Sequence, residues 1–204
     1  MHRAARLVLA SASPRRRQLL RQAGYRFTVK PPGPIEDGAL GRAPSPAAMV
    51  ESLAYLKAAE AVEAHGIARG PVLGCDTAVE ADGEMLGKPQ DPDDARRILA
   101  RLAGTTHRVL TGLALLAPET GRRWLAHEVT TIHMKPMSAA EIEAYVASGE
   151  VLGKAGAYAL QETGDRFVQR LEGSYTNVVG LPMELLERML KAAGYDPNEF
   201  RGVD

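Results

Sequence analysis

Residues 7–20 read LVLASASPRRRQLL, and the order of chemistry along this stretch decides the fold class. Leu7 to Ala10 is a short apolar run of the kind that forms a buried strand. Ser13 followed by Pro14 is a helix start, with serine at the N-cap and proline at the first helical position. Leu19 and Leu20 begin an apolar face, and Gly24 supplies a stop. A strand that passes directly into a helix opens an α/β arrangement.

The same punctuation recurs along the chain. Ser45-Pro46 opens a long helical segment through Leu53, Leu56 and Val62 that ends near Gly66. Asp91-Pro92 opens another, through Ile98 and Leu99 to Gly104. Ser138 and Glu141 have the spacing of a capping box for a helix ending near Gly149, and Met183 to Ala193 is a last helix stopped by Gly194. Strands lie between. Val72 to Glu80 and Met85 to Lys88 flank Asp82-Gly83, a strong hairpin signal. Val109 to Leu116 and Trp124 to Lys135 are separated by a Pro-Glu-Thr-Gly turn, and Phe167 to Leu171 is a further strand. Helices interleaved with hairpins predict an α/β fold with a central mixed sheet and flanking helices. Lys30 to Pro46, rich in Pro and Gly, reads as a loop, and loops of that length often carry function.

With 204 residues, 45% hydrophobic and 25% charged, the chain has an ordinary globular composition. The length suits one domain, folded as two lobes around a cleft. Lys and Arg number 25, as do Asp and Glu; the resulting zero net charge argues against a general nucleic-acid binder. The single cysteine, Cys75, sits in an apolar run and reads as a small buried residue. One thiol forms no internal disulfide, so a reducing compartment is the natural setting. The apolar run within Met1–Ala10 is too short for a signal sequence, and no window approaches a membrane span. The expected location is cytoplasmic, with no membrane partner.

The segment Ser11-Ala12-Ser13-Pro14-Arg15-Arg16-Arg17 breaks a local rule. The first turn of a helix presents backbone N–H groups and the positive end of the dipole, so acids belong there, and each exposed arginine costs about 0.3–1 kcal/mol. Violations of this kind mark function. N–H groups, serine hydroxyls and guanidinium forks together suit a phosphate; a solvated basic turn is the alternative. A second candidate is Asp76, a carboxylate inside the apolar strand Val72–Glu80. Buried there, it requires a cation or metal beside it, unless it serves as a structural turn cap. Lys57 on an Ala- and Leu-rich helix reads in isolation as a snorkelling side chain, and Lys88, before Pro89, as solvated. Glu36 and Asp37 form an acidic pair in the Pro/Gly loop, suited to Mg²⁺ beside phosphate. The five histidines show no metal spacing, and no GxxxxGK[ST] or GxGxxG loop is present.

Five segments in order, LVLASASPRRRQLL, LKAAEAV, VLGCDTAVEADGEMLGKP, GKAGAYALQ and FVQRLEGSYTNVVGLP, resemble the Maf family, whose name refers to septum formation. The likeness runs through nearly the whole chain and implies a single Maf-like nucleotide pyrophosphatase domain over residues 1–204. It implies an α/β fold similar to the inosine triphosphate pyrophosphatases, with a central mixed sheet and a deep cleft between lobes. It also implies cleavage of nucleoside triphosphates between the α and β phosphates with a divalent cation, Mg²⁺ or Mn²⁺, and a homodimer as partner state. Carried over by motif, Ser11, Arg15 and Arg16 belong to the phosphate-binding turn, and Lys57 and Lys88 clamp phosphates. Asp76 is the base that activates water, or a metal ligand. Glu36 and Asp37 take the place of a family acidic pair that usually ends in Glu. Arg15, Thr77 and Gln161 agree with the branch acting on dTTP and UTP, whereas the branch acting on methylated GTP typically has Tyr, Gln and Glu there. A glutamine amide both donates and accepts, as the imide edge of a pyrimidine requires. Two rivals remain open: a purine nucleotide pyrophosphatase of the same family, and a non-catalytic nucleotide-binding regulator of cell division.

Overall fold

Caps written into the sequence set most of the helix starts. In the computed structural model, which describes residues 6–35, 45–158, 160 and 163–202, Ser45 accepts a hydrogen bond from the Ala48 N–H (3.2 Å) ahead of α2 (Pro46–Ala64). Asp91 does the same from Asp94 (2.8 Å) ahead of α3 (Pro92–Leu102). Ser138 and Glu141 form the expected reciprocal capping box of α4 (Ala139–Ala147). The first helix, α1 (Pro14–Gln22), departs from this pattern: Ser13 makes no side-chain cap, and the first turn holds no acid. The chain continues through the short α5 (Tyr175–Val179) and closes with α6 (Met183–Ala192).

Among the described residues, seven strands make one sheet. They are β1 (Leu7–Ala10), β2 (Phe27–Val29), β3 (Val72–Ala81), β4 (Glu84–Leu86), β5 (Thr106–Ala117), β6 (Arg122–Met134) and β7 (Val168–Glu172). Their order is β2-β1-β3-β5-β6-β7, with β4 paired to β3 off this path. β1 runs parallel to both β2 and β3, whereas β4 is antiparallel to β3 and β7 to β6, so the sheet is mixed as expected. The turn into β4 follows the Asp82-Gly83 signal, with positive φ at both residues (52° and 81°), as a tight hairpin demands. β4 is shorter than expected and ends at Leu86, leaving Gly87 and Lys88 exposed beyond it and Pro89 buried. Among the described residues, no helix is long and apolar enough to cross a membrane.

The chain divides into two compact units, with boundaries inside β3, β5 and β6 and at the end of α5. The first comprises Met1–Asp76, Thr111–Glu128 and Gly180–Asp204. In it α2 lies on the sheet along a stripe of small buried residues, Val50, Ala54, Ala58 and Ala61. Two glycines set the closeness of that contact. A β-carbon on Gly112 of β5 would lie 2.3 Å from the Val50 carbonyl, and one on Gly74 of β3 would lie 2.9 Å from the Ala58 β-carbon. Any larger residue at either place would lift the helix off the strands.

The second unit comprises Thr77–Leu110 and Val129–Val179. Its core gathers Val79, Ile98, Leu99, Leu102, Ile132 and Tyr145, with Tyr145 and Phe167 meeting edge to face at 5.3 Å. Arg96 binds Glu143 through two hydrogen bonds (2.6 and 2.9 Å) and so ties α3 to α4. The fully buried Asn177 of α5 donates to the Val109 carbonyl (3.0 Å) and to Thr130 Oγ1 (2.9 Å), fixing the turn that follows β7.

Candidate active site

Strand β3 is buried along its length except at Asp76, Thr77 and Ala78, which are partly open. A carboxylate at this position needs a cation, and the structure supplies one. Lys57 of α2 places its Nζ on Asp76 Oδ1 as an ion pair, with the side chains 28% and 14% exposed. The Gly74 contact explains the reach. Gly74 lies two residues before Asp76, and its neighbours on α2 are Ala54 and Ala58, which bracket Lys57. The lysine that reads as a snorkelling side chain in the sequence instead ion-pairs with the carboxylate.

The turn between β1 and α1 contributes Ser11 and Arg16. Ser11 is buried, and its hydroxyl accepts from Arg16 Nη1 (3.0 Å) and from the Ser13 N–H (3.3 Å). Arg16 Nε donates to the Gly180 carbonyl (2.9 Å), in the connection between α5 and α6. The guanidinium is thereby held in one orientation against its own turn. Arg15 is half-buried at the same helix start. With no acid and no side-chain cap in the first turn of α1, this is a cationic, N–H-bearing terminus suited to an anion.

Cys75, adjacent to Asp76, is fully buried, and burial pushes its thiol up to about 11. The positive charges of Arg16 and Lys57 act against that rise, which places both cations within electrostatic range of the same point on β3. The thiol itself is inert at neutral pH, in keeping with its reading as a packing residue. Ser11, Arg16, Lys57 and Asp76 thus gather in the first unit. Thr77 begins the second unit on the next position of β3. Lys88 belongs to the second unit, on an exposed loop whose Gly87 carbonyl accepts from the Gly156 N–H (3.2 Å). Glu36, Asp37 and Gln161 lie outside the described residues.

The sequence reading missed Gly180 and Gly74 as determinants of the site. Gly180 had no visible signal, since its bond to Arg16 spans 164 positions. Gly74 did: a glycine inside a strand often marks a close backbone approach.

The family model Maf, described as Maf-like protein, matches residues 6–193. The chain belongs to the Maf family. Among curated Maf relatives it is 47% identical to the dTTP/UTP pyrophosphatase of Moorella thermoacetica, over 94% of this chain and 96% of that protein. It is 46% identical to the dTTP/UTP pyrophosphatase of Pelotomaculum thermopropionicum, over 93% and 97%. A solved nucleoside-triphosphatase / dITP/XTP pyrophosphatase from Mycobacterium abscessus is similar with a TM-score of 0.44 at 14% identity, covering 93% of this chain and 96% of that one; the likeness is too distant to bear on the site. The Maf segments singled out in the sequence include the β1–α1 turn with Ser11 and Arg16, the part of α2 with Lys57 and the stretch of β3 with Asp76.

Proposed function

We propose that this chain hydrolyses dTTP and UTP to the nucleoside monophosphate and pyrophosphate. The observation that carries the proposal is the Lys57–Asp76 ion pair at the partly open stretch of β3, in a chain with 46–47% identity to relatives named dTTP/UTP pyrophosphatase.

The chemistry requires a nucleophilic water at the α-phosphorus and cations on the phosphate chain. Asp76 accepts the proton as the water oxygen bonds to the α-phosphorus. The bond from that phosphorus to the bridging oxygen breaks, and pyrophosphate leaves with the oxygen. Lys57 fixes the orientation of the carboxylate and adds positive charge beside it. Ser11, Arg15 and Arg16 hold phosphate oxygens at the α1 N-terminus, and Lys88 is a further phosphate contact. Thr77 and Gln161, with Arg15, select the pyrimidine. Positioning and fixed charge supply the acceleration.

A divalent cation belongs to the same proposal. Among the described residues no three His, Cys, Asp or Glu side chains gather. Mg²⁺ does not require three, because it is commonly held by one or two carboxylates with substrate phosphates and water. Glu36 and Asp37 are the proposed ligands, and Asp76, partly open, is the alternative ligand where it does not serve as the base. Mg²⁺ or Mn²⁺ held there would neutralise phosphate charge.

The test is pyrophosphate release from dTTP, UTP, CTP, ATP, GTP and 7-methyl-GTP with Mg²⁺, Mn²⁺ or a chelator. The proposal expects dTTP and UTP to be the best substrates and the chelator to abolish turnover. A preference for methylated GTP, or no pyrophosphate from any nucleotide with either metal, would overturn it.

A further inference from the structure

Gly180 lies in the connection between α5 and α6 and has a φ of 116°. That value is outside the left-handed well, about +50° to +70°, which residues with a β-carbon occasionally occupy, so the conformation belongs to glycine. The residue is buried, as are Leu181 and Pro182 after it, and Pro182 leads directly into α6. Buried backbone in a glycine-only conformation turns its carbonyl in one direction. The group it meets there is the Nε–H of Arg16 (2.9 Å), 164 positions earlier in the chain.

The bond does more than satisfy a carbonyl. Arg16 also donates through Nη1 to Ser11 Oγ (3.0 Å), and the same oxygen accepts from the N–H of Ser13, the N-cap residue of α1 (3.3 Å). A guanidinium is planar, so bonds from two of its nitrogens fix both the position of the plane and its rotation. Ser11 alone would leave the plane free to turn about one bond. The Gly180 carbonyl removes that freedom, and an arginine so held gives up little further entropy when it meets a phosphate. Gly180, Arg16 and Ser11 all belong to the first unit, as do Lys57 and Asp76.

We propose that Gly180 is a positioning residue for phosphate binding: its carbonyl, aimed by a conformation that only glycine adopts, presets the guanidinium of Arg16 at the N-terminus of α1. The proposal rests on the reading of Arg16 as a phosphate contact. Gly180 acts through the arginine and not on the substrate.

The test is a double-mutant cycle of Gly180→Ala and Arg16→Ala, with each protein checked for folding by denaturant unfolding. The readouts are kcat and KM for UTP, taken separately, and the binding of inorganic pyrophosphate with Mg²⁺ by calorimetry, a probe that carries phosphates and no base. Displacing a contact group without deleting it can cost up to about a hundredfold. In Gly180→Ala, kcat/KM for UTP is expected to fall about tenfold to a hundredfold, mostly through a higher KM, and pyrophosphate binding to weaken with it. In the Arg16→Ala background the same change is expected to alter pyrophosphate binding by less than about twofold. A loss of equal size in both backgrounds, or lower stability with binding and kinetics intact, would make Gly180 a structural residue and overturn the proposal, with Arg16 still a phosphate contact. If Arg16→Ala alone leaves pyrophosphate binding and KM intact, the reading of Arg16 falls, and the proposal with it. Should Gly180→Ala not fold, an ester in place of the Gly180–Leu181 peptide bond, made with the α-hydroxy analogue of leucine, keeps the glycine and weakens its carbonyl as an acceptor; the same cycle then decides.

Discussion

A β-carbon built on Gly74 would stand 2.0 Å from the carbonyl oxygen of Ala54. The backbones of β3 and α2 therefore touch, one helical turn ahead of Ala58 and beside Lys57. Asp76 follows two residues along β3, where Lys57 of α2 ion-pairs with it. Gly74→Ala is expected to destabilise the protein by about 1–3 kcal/mol, the cost of overpacking a closed interface. It should also lower kcat, because α2 must move away from the strand that carries Asp76. Denaturant unfolding and UTP turnover measure the two effects. Lower stability with unchanged kcat would show that Lys57 reaches Asp76 independently of the glycine contact.

Asp76→Asn keeps the shape of the side chain and removes both the charge and the proton acceptor. A correctly folded Asp76→Asn protein is expected to lose nearly all turnover. Lys57→Ala and Lys88→Ala should each lose about 10²–10³-fold in kcat if the lysines stabilise charge that develops in the transition state. A variant that unfolds more readily but turns over normally would assign its lysine to structure.

Base choice is expected to shift with Gln161→Glu. On the proposed reading of Gln161 as a donor to a pyrimidine carbonyl, the substitution replaces the amide by an acceptor-only carboxylate, which repels that carbonyl and suits a purine edge rich in N–H donors. The kcat/KM values for UTP and dTTP should fall far more than any value for GTP or 7-methyl-GTP. An unchanged order of preference would remove Gln161 from base selection.

His107 gives the fold an acid-side limit. Burial, and secondarily the charge of His133, lowers its pKa from 6.5 to about 4. In the unfolded chain the imidazole titrates at its ordinary value, so between those two values the unfolded state binds more protons than the folded one. Stability is therefore full above about pH 6.5 and declines as pH falls towards about 4, by about 3 kcal/mol in all. Unfolding free energies for the wild type and His107→Gln should converge or cross in this interval. A parallel dependence in the two proteins would show that other groups dominate.

The fold was legible where its determinants are local. Ser45, Asp91 and the Ser138–Glu141 pair cap their helices with neighbouring side chains, so their signals survive in the sequence. β2 was not seen, because Phe27–Val29 is too short for a pattern and is a strand only through its pairing with β1. The site shows the same division. Ser11 to Arg17 stood out by violating a helix rule, and Asp76 by being charged in an apolar strand. The partners of these residues come from far along the chain: Gly180 for Arg16, and Lys57 for Asp76. No local pattern could join them. Lys57 in isolation reads as a snorkelling lysine on a helix flank, and the histidines carry no signal beyond their lack of metal spacing.

The proposed reaction is water attack at the α-phosphorus of a pyrimidine triphosphate. Turnover of UTP in ¹⁸O-labelled water, with the products separated by mass spectrometry, reports which phosphorus is attacked. Label is expected in UMP and none in pyrophosphate. Label in pyrophosphate, or release of orthophosphate in place of pyrophosphate, would contradict it.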